Sequence, residues 1–366
     1  MAGYKIAVLP GDGIGKEVIP EGIRVLERAA SHFAFELELQ TYPWGCDYYL
    51  ETGEMWPRDG LEQLRKYEAI YLGAVGAPEV PDHVSLWGLL LPIRKQFDQY
   101  VNLRPVRLFE GVQGPLRSKT SKDIDFVCIR ENTEGEYAGV GGRLNPGTKD
   151  EVAIQSGVFS RRGTERVVRY AFELARSRGK RLASITKSNA LQYSMVFWDE
   201  VVKDVARDYP EVDVWSVHVD AAAMYMVQKP EVFDVIVASN LFGDILSDLG
   251  GALQGSLGIS PSANLNPERK VPSLFEPVHG SAPDIAGRGI ANPIAAIWSG
   301  ALMLDFLGQP SAAGAILRAI QSTLSDPSSP RTPDLGGQAT ARQVTDAILR
   351  RLDQTASASG DRGCIG

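Results

Sequence analysis

The stretch that most limits what this chain can fold into is Asp234 to Gly251, DVIVASNLFGDILSDLGG. Val235-Ile236-Val237 is a β-branched apolar run with no polar alternation, which predicts a strand buried on both faces, as in a parallel sheet. Ser239-Asn240 then supply the chemistry of a turn and a helix N-cap. The helix that follows carries Asp244 and Asp248, four residues apart and therefore on one face. Like charges at that spacing raise each other's pKa unless a cation lies between them. No Lys or Arg occurs between Phe233 and Asn266 to supply one. The chemical reading is a hard divalent cation, Mg²⁺ or Mn²⁺, at the C-terminal edge of a sheet; the plain reading is a solvated acidic helix face.

The rest of the chain repeats the strand-then-helix pattern, so the predicted class is α/β. Residues 4–9 read as a strand. Pro10-Gly11-Asp12-Gly13-Ile14-Gly15 reads as a tight turn, and a helix runs on to about Ala30. GDGIG lacks the full dinucleotide fingerprint, because its third glycine comes one residue early; it is read as a structural turn. Strands follow at 35–41 and 69–72, the latter ending in Gly73-Ala74-Val75-Gly76, a turn that suits close backbone approach to a ligand. A loop at 79–85 leads to a helix at 86–97 with Leu90 and Arg94. Strands at 100–106 and 126–129 bring Arg104 and Arg130, and Pro105 predicts a sheet edge or strand end. A guanidinium keeps its charge when buried, so three arginines beside apolar elements each need an anion: a small di- or tricarboxylate or three structural ion pairs.

Residues 139–159 look like a two-stranded excursion suited to a dimer arm. Helices are expected at 162–178 and 193–208. Lys187 ends the strand 182–186 and Asp220 the strand 212–219. After Gly258 the chain is read as turns, and Phe275 to Ile285 as a long functional loop. Helices close the chain at 292–307, 312–324 and 340–352, with a frayed end from Ala356.

Composition narrows the partners. A net charge of −7 over 366 residues, with no Lys/Arg-rich tract, argues against nucleic acid. The three scattered cysteines, Cys46, Cys128 and Cys364, make neither a disulfide framework nor a zinc pattern. A strand from the first residues leaves no room for a signal peptide, and no apolar run is long enough for a membrane span. The expected compartment is the reducing cytoplasm.

Four segments taken together carry a family resemblance. They are GDGIG; Arg94 and Arg104 with RENTEGEY; TKSN with VHVDAAAM; and NLFGDILSDLGG with EPVHGSAPDIAGRGIANP. The set resembles the metal-dependent decarboxylating β-hydroxyacid dehydrogenases, the isopropylmalate and isocitrate dehydrogenase family. The segment PDHVSLWG…FDQYVN is most similar to the tartrate and D-malate branch.

The resemblance implies a two-lobed fold with a mixed central sheet, a non-Rossmann cofactor site and a β-arm for dimerisation. Residues 1–99 with 252–366 would form the cofactor lobe. Residues 100–251 would form the substrate, metal and dimerisation lobe, with the arm at about 137–159. Asp244, Asp248 and, from the other subunit, Asp220 match metal ligands. Arg94, Arg104 and Arg130 match the clamp on substrate carboxylates, with Leu90 beside them. Tyr137 and the partner-supplied Lys187 match the acid–base pair.

Gly73, Glu276, His279, Gly280, Ser281, Ala282, Asp284, Ile285 and Asn292 match the cofactor site. Asp284-Ile285 implies NAD, because a 2′-phosphate would meet a carboxylate. A K⁺ requirement is a family possibility. Gly88 and Leu90 stand where isocitrate enzymes carry Ser and Asn, so the extra carboxylate of isocitrate would lack a partner. The implied reaction is oxidation and β-decarboxylation of D-malate or tartrate in a homodimer with shared sites. The rivals are a 3-isopropylmalate dehydrogenase and a non-catalytic regulatory subunit.

Overall fold

The structure, a computed structural model, describes residues 2–360. Ten strands form one sheet, and two more form a separate ribbon. The first three strands are β1 (Gly3–Gly11), β2 (Glu36–Thr41) and β3 (Ala69–Ala74). Helices α1 (Gly15–Phe33), α2 (Cys46–Thr52) and α3 (Gly60–Leu64) lie between them. Then come α4 (Asp82–Ser85), a π-helical turn (Leu86–Leu90) and α5 (Leu91–Gln96). The chain continues with β4 (Val101–Arg107), β5 (Asp125–Glu131) and the ribbon β6 (Gly135–Leu144) and β7 (Val152–Val158).

The next part of the chain holds α6 (Arg161–Ser177), β8 (Arg181–Thr186), α7 (Ser194–Ala206), β9 (Asp213–His218) and α8 (Val219–Gln228). It continues through β10 (Val235–Ala238), α9 (Asn240–Leu253), β11 (Pro261–Leu265) and β12 (Ser273–Pro277). Helices α10 (Ile294–Phe306), α11 (Pro310–Ser325) and α12 (Ala341–Gly360) close it. No helix among the described residues is long and apolar enough to cross a membrane.

The strand order is β2-β1-β3-β12-β11-β4-β5-β10-β8-β9. Strands from residues 1–99 and beyond 252 occupy one half, and strands from 100–251 the other. Three consecutive antiparallel pairings, β12–β11, β11–β4 and β4–β5, separate two parallel sets. Three reversals are an odd number, so the parallel strands of the two halves point opposite ways. Their C-terminal edges therefore do not coincide. A site drawing on both halves has to sit at the antiparallel junction rather than at one switch point.

Alternate residues of the inner strands enter different cores, which is why β3, β10 and most of β1 read as apolar runs. Val235 and Val237 pack with α6 and α7, while Ile236 and Ala238 pack with α8 and α9. Ile6 and Val8 face α1 and α10; Ala7 and Leu9 face the layer of Trp44, Met55 and Phe97. Helix α10 is buried nearly all round, as its uniformly apolar sequence requires.

Several expectations are corrected. Residues 261–265 and 273–277 are fully buried strands, not turns and the start of a loop. Their polar residues satisfy one another across the junction. Asn102 Nδ2 donates to Ser262 Oγ (2.8 Å) and Asn264 Oδ1 (3.1 Å), and Asn132 Nδ2 reaches Asn264 Oδ1 at 2.9 Å. Asn264 Nδ2 in turn donates to Glu276 Oε1 at 2.7 Å. A hydrophobic pattern cannot register a strand held by such a seam. Replacing Asn264 with leucine should leave one Asn132 Nδ2 hydrogen without its acceptor and take one donor from Glu276 Oε1, at about 1–3 kcal/mol. Urea unfolding checks it; an unchanged midpoint would show the seam contributes nothing.

Residues 82–85 are already helical, and α2 was not anticipated. Pro105 sits inside β4, but β11 pairs only with Val101–Leu103, so β4 has an open edge there. The expected fraying from Ala356 meets a helix that continues to Gly360. Residues 361–366, with Cys364, lie outside the described residues. Cys46 and Cys128 are buried free thiols.

Candidate active site

The three arginines arrive from α5, β4 and β5, and all are buried: Arg94 to 5 % exposure, Arg104 to 7 % and Arg130 to 3 %. They line one cavity of about 200 Å³ together with Leu90, Tyr137, Asp244, Gly73 and Glu276. That is below the ~300–1,000 Å³ of drug-sized sites, so the space suits a small molecule.

Each guanidinium has found an anion, as its fixed charge demands. Arg94 Nη2 donates to Glu276 Oε1 at 2.9 Å. Arg104 Nη1 donates to Ser247 Oγ at 2.7 Å, Asp248 Oδ1 at 3.1 Å and Asp244 Oδ1 at 3.3 Å. Arg130 Nη1 pairs with Asp244 Oδ1, while its Nε and Nη2 donate to Asn240 Oδ1. The Nε atoms of Arg94 and Arg104 are buried without a partner among the described residues.

The absence of basic residues near Asp244 in sequence was therefore a poor guide. Strands β4 and β5 bring cations to α9 from more than a hundred residues away. Gly243 permits this: a Cβ there would stand 2.6 Å from Arg130 Cβ. Burial by itself would raise the Asp244 pKa, but Arg130, Arg104 and Arg94 outweigh it and hold the carboxyl below the usual range. Asp248 has the opposite balance: burial, with the charge of Asp244, pushes it up against the pull of Arg104. Tyr137 donates its hydroxyl to Asp244 Oδ2 at 3.0 Å, and burial followed by that charge raises its pKa. The phenol thus holds its proton at neutral pH.

Ser239 does not cap α9 with its side chain, and its buried Oγ has no partner among the described residues. Asn240 anchors Arg130 and donates to Glu134 O at 2.9 Å instead. Asn240 and Ser247 are site residues that the sequence reading did not assign; only the helical spacing of Asp244, Ser247 and Asp248 hinted at the second.

Lys187 and Asp220 are placed apart from this cavity. Lys187 follows β8 and donates to Asp220 Oδ1, in the first turn of α8, at 2.6 Å. That hydrogen bond holds the Asp220 carboxyl low. Neither residue lines the cavity that holds Tyr137 and Asp244. No three His, Cys, Asp or Glu side chains gather as a metal cage among the described residues. Asp244 and Asp248 nevertheless fit a hard divalent cation as far as one chain goes. They are two carboxylates on adjacent helical turns, half-open to solvent and offering only oxygen.

A second cavity, of about 450 Å³, adjoins the first through His279 and Gly280. Ala282, Ile285 and Asn292 line it, with Ile14, Leu257, Ile290, Pro333 and Asp334 added by the fold. Its apolar walls fit a flat heteroaromatic ring. Asn292 Oδ1 accepts from Ile294 N and its Nδ2 donates to Asp334 Oδ2. Burial lowers the His279 pKa, so the ring is neutral, with Nδ1 3.0 Å from Gly280 O.

Ser281 and Asp284 line neither cavity. Ser281 O accepts from Ile14 N, and Asp284 is exposed. Glu276 and Gly73 belong to the arginine cavity. Gly73 closely approaches Pro10 O and Gly15, so its small size serves chain packing. The GDGIG turn is structural: Asp12 accepts from Cys46 N and Gly76 N, joining it to two neighbouring loops.

A family model described as isocitrate/isopropylmalate dehydrogenase matches residues 5–348. The D-malate dehydrogenase [decarboxylating] of Escherichia coli (strain K12) is 58% identical over 358 residues, covering 96% of this chain and 99% of that one. The tartrate dehydrogenase/decarboxylase of Pseudomonas putida is 56% identical over 362 residues, with 96% and 99% coverage. The crystal structure of isocitrate dehydrogenase from Methylococcus capsulatus superposes with a TM-score of 0.85 at 35% identity, covering 95% of this chain and 99% of the other.

Proposed function

Because the chain belongs to the isocitrate/isopropylmalate dehydrogenase family, whose relatives at this identity are named as decarboxylating dehydrogenases, we propose that it oxidises D-malate or tartrate with NAD. On D-malate the products would be pyruvate and CO₂. The observation that carries this reading is the convergence of three buried arginines, Tyr137 and Asp244 on one small cavity.

The guanidiniums of Arg94, Arg104 and Arg130 bind and orient the substrate carboxylates. Leu86, Leu90 and Leu91 form the apolar wall, which offers no partner to a third carboxylate. Lys187 from the partner subunit accepts the proton of the 2-hydroxyl. Tyr137, protonated at neutral pH, delivers a proton to C3 once CO₂ has left. Asp244 and Asp248, with Asp220 of the partner subunit, would hold Mg²⁺ or Mn²⁺, which supplies Lewis-acid polarisation of the substrate oxygens. The residues of the 450 Å³ cavity, with Asp284, would hold NAD, which would supply the hydride acceptor.

The same reading makes residues 1–99 and 252–366 the cofactor lobe and 100–251 the substrate and dimerisation lobe. A homodimer is favoured by the ribbon, which exposes Val140, Leu144, Val152 and Ile154, and by α8 and α9, which expose Met224 and Ile245. We place the enzyme in the cytoplasm and include K⁺ as an activator to be tested.

The test is NADH formation by purified protein with Mn²⁺ and NAD, with and without K⁺. D-malate, L-tartrate and 3-isopropylmalate are compared as substrates. D-malate or tartrate should be turned over well ahead of 3-isopropylmalate, and replacing NAD with NADP should abolish most activity. Preference for 3-isopropylmalate would make Leu90 and its neighbours an isopropyl pocket, the second reading. Silence with all three acids would reject both and favour a regulatory subunit.

A further inference from the structure

The ladder between β6 and β7 loses its register between Gly135 and Val140. Tyr137 lies inside that gap, so ribbon pairing does not fix the side chain on which the proposed reaction depends. One bond from β7 remains, Gln155 Nε2 donating to Glu136 O at 2.7 Å.

The other support comes from the helical segment that walls the cavity. Lys95 Nζ donates to Ala138 O at 3.2 Å and stands 4.6 Å from the centre of the Trp87 ring. That ring in turn lies against Gly139, where a Cβ would be 2.9 Å from Trp87 Cη2. Gly139 has φ +79°, so both the backbone and the close approach call for glycine. Trp87 is presented by the π-helical turn, a local widening that recurs at functional sites. The ring is 43 % exposed and belongs to none of the apolar cores among the described residues. Core packing therefore does not account for it.

We propose that Trp87 and Lys95 are positioning residues that clamp the unpaired stretch of β6 and so hold the Tyr137 hydroxyl beside Asp244. The inference rests on Tyr137 being the proton donor. Leu86 and Leu90, on the same turn, line the substrate cavity, so clamp and pocket share a wall. A cation over an indole face is a directional contact, and the Lys95 hydrogen bond to Ala138 O orients the residue next to Tyr137.

The experiment compares wild type with Trp87→Ala, Trp87→Phe and Lys95→Met. Hydrogen–deuterium exchange of the peptide covering residues 135–140 is measured without ligand, and kcat and KM for D-malate are measured in parallel. Exchange should quicken in Trp87→Ala and Lys95→Met and stay near wild type in Trp87→Phe, which keeps an aromatic face. In Trp87→Ala kcat should fall about 10- to 100-fold with KM little changed, because the arginines are untouched. Unchanged exchange overturns the clamp even if the wild-type protein turns over none of the acids, an outcome that would separately defeat the proposed function. Faster exchange with wild-type kcat overturns the link to Tyr137. A rise in KM alone makes Trp87 a substrate contact and overturns it as well.

Discussion

Changing Lys187 to methionine is expected to lower turnover by about 10²–10⁴-fold, the usual worth of a positioned acid or base, while Mn²⁺ and substrate still bind. Methionine keeps the length and apolar stem of lysine and removes only the titrating nitrogen. Lys187 pairs with Asp220 at 2.6 Å and stays out of the cavity that holds Tyr137. In the proposed reading its amine meets the substrate from a second copy of the chain.

This makes the prediction sharper than a single loss of activity. Co-expressed Asp220→Asn and Tyr137→Phe chains, each nearly inactive alone, should form mixed dimers with one intact site. Random assortment of a two-fold dimer makes about a quarter of all sites intact. Activity approaching that fraction supports a shared site. Mixed dimers that stay silent would show that each chain builds its own site by another route, and wild-type turnover in Lys187→Met would remove lysine from the proton path.

The second large effect is expected at Asp244, where Arg130, Arg104 and Tyr137 all converge. Asp244→Asn keeps the shape and an acceptor but removes the charge. Arg130, exposed by less than a tenth, then loses its carboxylate partner, and Arg104 is left with Asp248. The loss should reach about 2 kcal/mol, discounted because Asp244 stays partly open to solvent and the amide still accepts a hydrogen bond.

The pH dependence has a definite sign. The Asp244 pKa is held low in the fold, so its stabilisation is complete at neutral pH and is lost only as pH falls through that depressed value. Asp248 is raised and acts in reverse: it costs stability at neutral pH, and acid relieves the cost. Asp244→Asn should therefore flatten the acid limb of a stability–pH curve. In parallel, Mn²⁺ affinity measured by calorimetry should fall steeply, as should kcat. An unchanged Mn²⁺ affinity would take Asp244 out of the metal site.

Much of this protein was legible before its structure was known. The sheet strands read at 69–72, 126–129 and 235–237 are apolar runs because both their faces are covered, and that burial writes itself into composition. The helix bearing Asp244 and Asp248 was legible because i, i+4 spacing is a local property. The ribbon, read at 139–159 and found at 135–158, was legible because glycine-rich alternation without a core face has few other uses.

What resisted reading was held together across distance. Strands β11 and β12 looked like loops because their buried Ser262, Asn264 and Glu276 find partners in each other, in β4, at the loop after β5 and on α5. Asp244 and Asp248 looked unneutralised because their cations come from β4 and β5.

Local sequence thus determined the α/β class, most of the elements and the residue types of the site, because propensity, burial and helical spacing act over a few neighbouring residues. The tertiary structure alone decided two things: that the two parallel sets run in opposite senses, and that the carboxylates of Asp244 and Asp248 pair with arginines. Those are matters of topology and charge compensation, and both are settled by which distant segments become neighbours.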